Sequence, residues 1–365
     1  MYPKVSVIIP AHNAGPWLGE CLESVLAQTL RELEVICIDD ASTDNTLSII
    51  NAYAERDPRI RVVEFSENLG SGPARNKGIG LATGEFLAFC DASDAYTPAA
   101  LETLYAKAKS AGVEIAWGNM RVMDAQLRCI RPLNVITAAT VFYEDGVREI
   151  DDYPPLWVPW YHPRYIFSAA FLKNNAVYYP SLIRGQDPPF LAKAFCLAKG
   201  IAVCPDLVYL YRTLPNGKTM SMPQWLGYLK SIDTVFSILS DSGHAKSACL
   251  YFMFTSRSWL EPRRLLRLSS DEYQTMRGVL GGLLQKMSAC GVSAMSFAPY
   301  LVQRDYILNE CDLVYKGRWH FLKIKIWRKA RAAKIFSWFK RRVISFCKKC
   351  LRLTRKLFSL MRRGG

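Results

Sequence analysis

Along the first third of the chain, apolar residues arrive in short β-branched runs: Val5–Ile9, Glu34–Ile38, Ile60–Glu64, Glu85–Cys90 and Glu114–Trp117. Stretches of helical length separate them: Trp17–Ala27, Thr46–Arg56, Ala74–Ala82 and Ala99–Ser110. Thr43 or Asp44 is placed to cap the second helix, and Thr97-Pro98 to open the fourth with proline in its first turn. Strands that are apolar almost throughout, rather than at every second position, suit a sheet covered on both faces. Strand–helix alternation of this kind predicts an α/β fold with a mostly parallel sheet. Ligands of such sheets bind at the carboxyl ends of the strands.

Between about Met120 and Arg212 the alternation gives way to aromatic residues, prolines and short polar segments, as in Tyr153–Tyr165. Helical spacing returns in Trp225–Leu239, Ala245–Leu260 and Asp271–Ser288. The pattern predicts four segments without internal repeats: 1–120, 121–220, a helical 221–315, and a tail at 316–365.

Charge sets the tail apart. Of the 47 Lys and Arg residues, 18 fall between Lys316 and Gly365, which hold no Asp or Glu, leaving 29 basic against 32 acidic residues elsewhere. Phe336, Phe339, Val343, Phe346, Cys350, Leu353, Leu357 and Leu360 follow three- and four-residue steps, one face of a helix, with Lys and Arg largely around the rest. Residues 319–363 therefore read as a basic amphipathic helix on an anionic membrane surface. A partner helix or a polyanion are the alternatives, and no specific nucleic acid is expected. No uncharged apolar run reaches the ~18 residues of a membrane span.

The start, Met1-Tyr2-Pro3-Lys4, runs straight into a strand and lacks the features of a secretory leader. The 11 cysteines are irregularly spaced and mostly set in apolar runs, so they are expected as free thiols in a reducing compartment. Cys347 and Cys350 have no second pair or histidine at zinc spacing and read as apolar filler. The expected location is cytoplasmic, peripheral on the cytoplasmic face of the membrane.

Three of the strands deliver polar loops to one edge. The first ends Pro10-Ala11-His12-Asn13, the second Asp39-Asp40-Ala41-Ser42-Thr43-Asp44, the fourth Asp91-Ala92-Ser93-Asp94. Paired carboxylates repel unless a cation or hydrogen-bond donors compensate. Mg²⁺ bound to phosphate is a common compensation, because it takes one or two carboxylates plus phosphate oxygens. Helix capping is the alternative use of these acids, Asp44 above all.

These segments together, with Asn68-Leu69-Gly70, Ala74-Arg75-Asn76-Lys77-Gly78 and Ala82-Thr83-Gly84-Glu85-Phe86, resemble the family 2 glycosyltransferases over Val5–Tyr105. The resemblance implies the GT-A fold, Rossmann-like, with helices on both faces, followed here by a helical C-terminal region and the basic tail. It implies that Pro10, Ala11 and Asn13 line a nucleoside pocket, that Asp40 contacts the base with Asp39 behind it, and that Arg75 lies near base or diphosphate. The family's Asp-x-Asp-Asp motif is Asp91-Ala92-Ser93-Asp94 here, with Ser93 in place of an acid. Asp94, then Asp91, are the implied ligands of Mg²⁺ or Mn²⁺, and Ser93 is left to meet a ribose hydroxyl or a metal-bound water. Further on, the family's Glu-Asp pair is Gln186-Asp187. Asp187 is the implied catalytic base, with Gln186, Trp160, Tyr211 and Arg212 toward the acceptor. Trp160, like Trp157 and Tyr161, could equally be ordinary packing.

The implied activity is sugar transfer from a nucleotide donor, most simply a UDP-sugar, to a glycan or lipid-linked acceptor. It would be inverting and metal-assisted, in the synthesis of cell-surface polysaccharide or lipopolysaccharide. A non-catalytic nucleotide-sugar-binding or scaffold protein is the alternative that Ser93 and Gln186 leave open.

Overall fold

The structure, a computed structural model, describes residues 2–127, 129–131, 145–151, 162–213, 221–245 and scattered positions between 247 and 286. The tail, Trp157, Trp160 and Tyr161 lie outside the described residues, as does most of the second and third C-terminal helices expected from the sequence. The chain divides into two compact units, Met1–Ser256 with Gln285–Leu301, and Arg257–Leu284 with Val302–Gly365. In the second, Ser269 and Glu272 form a reciprocal cap: Ser269 N donates to Glu272 Oε2 at 2.7 Å and Glu272 N to Ser269 Oγ at 3.2 Å. Everything below belongs to the first.

Its elements run β1 (Val5–Ala11), α1 (Gly15–Leu26), β2 (Leu33–Asp39), α2 (Thr46–Ala54), β3 (Ile60–Glu64), α3 (Ser71–Leu81), β4 (Phe86–Phe89), β5 (Ala95–Tyr96) and α4 (Ala100–Ala111). There follow β6 (Ile115–Met123), β7 (Cys129–Arg131), β8 (Gly146–Arg148), a short 3-10 turn at His162–Arg164, β9 (Tyr165–Ser168), α5 (Ala169–Asn174), α6 (Asp187–Leu197), β10 (Ile201–Arg212) and α7 (Met222–Asp241).

The strands form one sheet in the order β3-β2-β1-β4-β9-β6-β10-β5. β1 to β4 are parallel, and β6 pairs parallel with β10. β9 enters antiparallel between β4 and β6, and the short β5, β7 and β8 also pair antiparallel. The region where alternation fails in the sequence thus completes the sheet rather than forming a separate layer, and segments 1–120 and 121–220 share it. Because β9 is reversed, β6 and β10 run in the same direction as β1, β2 and β4. Their carboxyl ends all meet one rim.

Alternate residues of each strand face opposite layers. Val5, Val7 and Ile9 of β1 join a core with Leu18, Cys21, Leu22 and Val25 of α1, Ile50 of α2 and Leu101 and Leu104 of α4. Burying each large apolar side chain is worth roughly 1.5–3 kcal/mol. Ile8 faces the other way, against α3: a Cβ on Gly78 would come 2.4 Å from Ile8 Cγ2, so glycine is what allows this approach. On the same side, Phe190 of α6 packs edge-on to Phe89 and Phe167, with ring centroids 5.8 and 5.3 Å apart. Both faces are covered, as near-continuous apolar strands require. Cys21, Cys37, Cys90, Cys196 and Cys204 are free thiols.

Two helix starts differ from expectation. Asn45 holds the N-cap position of α2 without a side-chain bond, and Asp44, one residue earlier, supplies the carboxylate. Its Oδ1 accepts from Thr46 N at 2.9 Å and its Oδ2 from Gly15 N at 3.1 Å, joining the starts of α1 and α2. These bonds outweigh burial and hold the Asp44 carboxyl below the usual range. Pro98 does not enter α4, which begins at Ala100. Thr97 is drawn instead to β10, donating from N to Val208 O at 3.0 Å and from Oγ1 to Leu207 O at 2.6 Å. Among the described residues, no helix is long and apolar enough to cross a membrane.

Candidate active site

The loop after β1 is tied to the loop after β2. Asn13 adopts a left-handed φ of 48°, a conformation asparagine tolerates. Its N–H donates to Ser42 Oγ at 3.1 Å, and its Oδ1 accepts from Thr43 N at 2.8 Å. His12 Nδ1 lies 2.8 Å from Asp40 O. Pro10 and Ala11 precede this junction in the register of β1 with Ile38 and Asp39.

Asp39 and Asp40 have different employments. Both oxygens of Asp40 accept backbone N–H groups, from Leu69 and Gly70, each at 2.8 Å. Asp40 thereby fixes the turn into α3, whose N-cap Gly70 needs φ +90°. Asp39 uses only Oδ2, accepting from Ser42 N at 3.1 Å. Its Oδ1 is buried and has no hydrogen-bond partner among the described residues, in a residue only 3% exposed. A buried, unsatisfied acceptor at the carboxyl end of β2 is costly unless a ligand donor reaches it.

The loop after β4 is held from β10. Tyr209 Oη donates to Asp94 Oδ2 at 2.8 Å and accepts from Asp91 N at 3.1 Å. Arg212 N donates to Asp94 Oδ1 at 2.8 Å. Arg212 itself is spent on the protein: Nε donates to Ser93 O at 2.6 Å, and Nη1 and Nη2 reach Ala125 O and Glu20 Oε2. Its guanidinium also lies 4.8 Å from the Trp17 ring centroid. Its part here is to hold the Asp91–Asp94 loop. Tyr211 is half-buried beside it. In the sequence Tyr209 is marked only as a tyrosine inside the apolar run of β10.

Asp94 is 1% exposed. Burial, reinforced by the charge of Asp91, pushes its carboxyl up to about 8, against the bonds from Arg212 N and Tyr209. The positive charge of Arg212 opposes this rise without cancelling it. Asp91 pairs through Oδ1 with Arg75 and leaves Oδ2 without a protein partner among the described residues. No cluster of three or more His, Cys, Asp or Glu suited to a metal occurs among the described residues. Two carboxylates are what Mg²⁺ or Mn²⁺ needs from protein when phosphate oxygens and water complete the shell. The donor set fits the expected cation.

Arg75 connects this loop to the second half of the site. Its Nη2 donates to Asp91 Oδ1 at 2.6 Å and its Nη1 reaches Asp187 Oδ1 at 3.5 Å and Ser71 Oγ at 3.2 Å. The guanidinium lies 5.3 Å from the Tyr179 ring centroid. Burial alone would disfavour its charge, but Asp91 and Asp187 hold it firmly protonated. Asp187 is the first residue of α6 and about a third exposed, with Gln186 at the N-cap making no capping bond. Gln186 instead donates through Nε2 to Leu182 O at 2.6 Å. Tyr179 stacks on Phe190 of α6, centroids 4.1 Å apart, and so supports both Arg75 and the helix that carries Asp187.

The geometry brings Asp91, Asp94, Arg75 and Asp187 into one connected group at the sheet rim, with Asp39 and Asn13 on the neighbouring strand ends. Gln186 and Arg212 are turned to structural partners, and Trp160 is outside the described residues.

Residues 6–152 match the family model of glycosyl transferase family 2. The glycosyltransferase EpsJ of Bacillus subtilis, itself uncharacterized, is 29% identical over 220 residues, covering 60% of this chain and 64% of that one. The poly(ribitol-phosphate) beta-glucosyltransferase of Bacillus spizizenii is 30% identical over 223 residues, 60% of this chain and 34% of that one. The chain spans less than two thirds of the length of either relative. Among solved structures, Staphylococcus aureus TarS 1–349 in complex with UDP-GlcNAc has a TM-score of 0.71 and 21% identity, over 90% of this chain and 92% of that one. At that identity the likeness speaks to the fold.

Proposed function

Residues 6–152 are a glycosyl transferase family 2 domain, and on that premise we propose that the chain transfers a sugar from a UDP-sugar to a hydroxyl of a cell-surface glycan or lipid-linked acceptor. The TarS complexes with UDP and UDP-GlcNAc support the choice of donor, and the polymer in the name of the Bacillus spizizenii relative supports the acceptor class. The observation that carries the reading is the Arg75 bridge from Asp91 to Asp187. It links the loop suited to a diphosphate with the Asp187 carboxylate, which this reading makes the base.

Asp39 Oδ1 is an acceptor awaiting a donor, which suits a pyrimidine N–H. Asn13 and the Pro10-Ala11 strand end wall the same pocket. Asp94 and Asp91 would hold Mg²⁺ or Mn²⁺, which neutralises charge on the departing nucleoside diphosphate. Ser93 offers a hydroxyl to the ribose. Asp187 takes the proton from the acceptor hydroxyl as that oxygen bonds to the anomeric carbon. The bond from that carbon to the diphosphate oxygen breaks on the opposite side, its electron pair leaves with the diphosphate, and configuration inverts. Arg75 holds Asp187 at the distance and orientation this attack needs. The basic tail, residues 319–363, holds the enzyme to the cytoplasmic face of an anionic membrane. Deleting 319–365 releases the protein from phosphatidylglycerol vesicles if so, and continued binding refutes the anchor.

The test of the reaction is Asp187→Asn. The variant retains UDP binding and loses release of UDP from UDP-sugars and transfer to acceptor. Unchanged turnover removes Asp187 from the mechanism, and a wild-type protein that binds UDP-sugars without turning them over is a binding protein.

A further inference from the structure

Three arginines of the sheet unit are almost fully buried: Arg75 at 5%, Arg212 at 3% and Arg164 at 4% exposure. Burying a guanidinium is costly unless it is paired and hydrogen-bonded. Arg75 has the carboxylates of Asp91 and Asp187. Arg212 has Glu20 and the carbonyls of Ser93 and Ala125. Arg164 has neither a carboxylate nor a carbonyl partner among the described residues, and its Nε is buried without a hydrogen bond. What surrounds it is aromatic: its guanidinium carbon lies 4.7 Å from the Trp117 ring centroid and 5.8 Å from that of Tyr165. Two ring faces return less than the cost of a buried ion that has no carboxylate partner.

Arg164 also stands in a particular place. It closes the short turn that leads into β9, the reversed strand, so it sits where β9 begins, by the end of β4 and beside Trp117 in the first half of β6. Pro163 O accepts from Tyr96 Oη at 3.0 Å, and the same hydroxyl donates to Phe89 O at 2.7 Å, two residues before Asp91. The rings beside Arg164 lie on the α6 side of the sheet. Trp117 stacks on Tyr165 with centroids 5.8 Å apart, and Tyr165 meets Phe195 of α6 at 5.7 Å. This is the face that carries Asp187. The diphosphate loop already has its own charges in Asp91, Asp94 and Arg75, and Arg164 lies beyond it, across β9.

We propose that Arg164 is the recognition residue for an anionic group, a phosphate ester, on the acceptor substrate, seated between the start of β9 and Trp117 of β6. A guanidinium offers a planar fork of N–H donors that matches phosphate oxygens, and Trp117 beneath it limits its movement. The inference rests on the glycosyl-transfer reading for the word acceptor. The buried cation without a carboxylate partner among the described residues stands without it. It predicts an enzyme whose acceptor preference follows charge: phosphate-bearing polyols over neutral ones of the same size.

Glycerol 3-phosphate and glycerol are the probes, titrated calorimetrically into the full-length protein with UDP and Mn²⁺ present to fill the donor site. Wild type is expected to bind glycerol 3-phosphate and not glycerol. Arg164→Gln is expected to weaken that binding at least about tenfold, and Arg164→Lys, which keeps the charge and loses the fork, to fall between. Far-ultraviolet circular dichroism checks that both variants fold. If Arg164→Gln does not fold, Arg164→Lys decides alone: affinity equal to wild type in 50 and 300 mM salt overturns the proposal. Equal binding of both probes, no binding of glycerol 3-phosphate by wild type, or unchanged binding by Arg164→Gln also overturns it. UDP titrated alone into wild type separates the two readings. Absence of UDP binding there refutes the donor assignment, and the glycerol 3-phosphate titration repeated without UDP still judges Arg164.

Discussion

The hydroxyl of Tyr209 lies 2.8 Å from Oδ2 of Asp94, joining the long last strand to the loop proposed to hold the cation. The same oxygen accepts from Asp91 N, so one phenol spaces both acids of that loop. Replacing Tyr209 with Phe removes a donor and an acceptor at once and leaves two buried polar groups unsatisfied. The expected loss of stability is about 2–3 kcal/mol by urea unfolding. Mn²⁺ stimulation of UDP-sugar turnover weakens in parallel. A Tyr209→Phe protein with wild-type stability and metal response would show that this bond organises nothing.

Asp94 sets a pH dependence. Its carboxyl rises from an ordinary 3.8 to about 8 in the fold, first through burial and then through Asp91. The folded chain therefore binds a proton more tightly than the unfolded chain between those values, and this contribution to stability is lost as pH rises through that window. Lowered carboxyls such as Asp44 and Glu34 act only at the acid end. Without divalent cation, the melting temperature is expected to fall between pH 5.5 and 8. Mn²⁺ opposes the fall by favouring the ionised form, and its affinity grows with pH because it displaces a proton. Asp94→Asn flattens the profile. Thermal melts at three pH values, with and without Mn²⁺, check all three statements.

Arg75 is fitted to its two carboxylates by its fork. A lysine there keeps the charge but reaches one partner at a time. Arg75→Lys is expected to cost about 1–3 kcal/mol of stability, moderated because Asp91 and Asp187 are each about a third exposed and water can answer for the lost bond. The fall in kcat is expected to be larger, about 10- to 100-fold, since Asp187 loses its support. Urea melts and initial rates on one preparation separate the two effects.

The parallel half of the sheet and the acids at its rim are readable in the sequence, because each rests on a local signal. Strand runs such as Val5–Ile9 are apolar on both faces, and the acids of Asp39-Asp40 and Asp91–Asp94 follow them directly. The reversal of β9 is not readable, since Tyr165–Ser168 has the same composition whichever way it runs. Only its pairing with Ala88 and Trp117 fixes the direction. The division of labour between Asp39 and Asp40 depends on where Leu69 and Gly70 return, about thirty residues later. Arg212 looks like a ligand-binding arginine in the sequence, and its spending on Glu20 and two carbonyls is set by contacts up to 192 residues away. Tyr209 and Arg164 carry no local signal beyond being a polar-tipped or charged residue in an apolar run.

The central claim is that Asp94 and Asp91 grip a sugar donor's diphosphate through a bound cation. Calorimetric titration of UDP into wild type and Asp94→Ala, each with and without Mn²⁺, tests it most directly. The account predicts that Mn²⁺ tightens UDP binding to wild type at least about tenfold and has no effect on Asp94→Ala. Equal UDP affinity in all four titrations would contradict it.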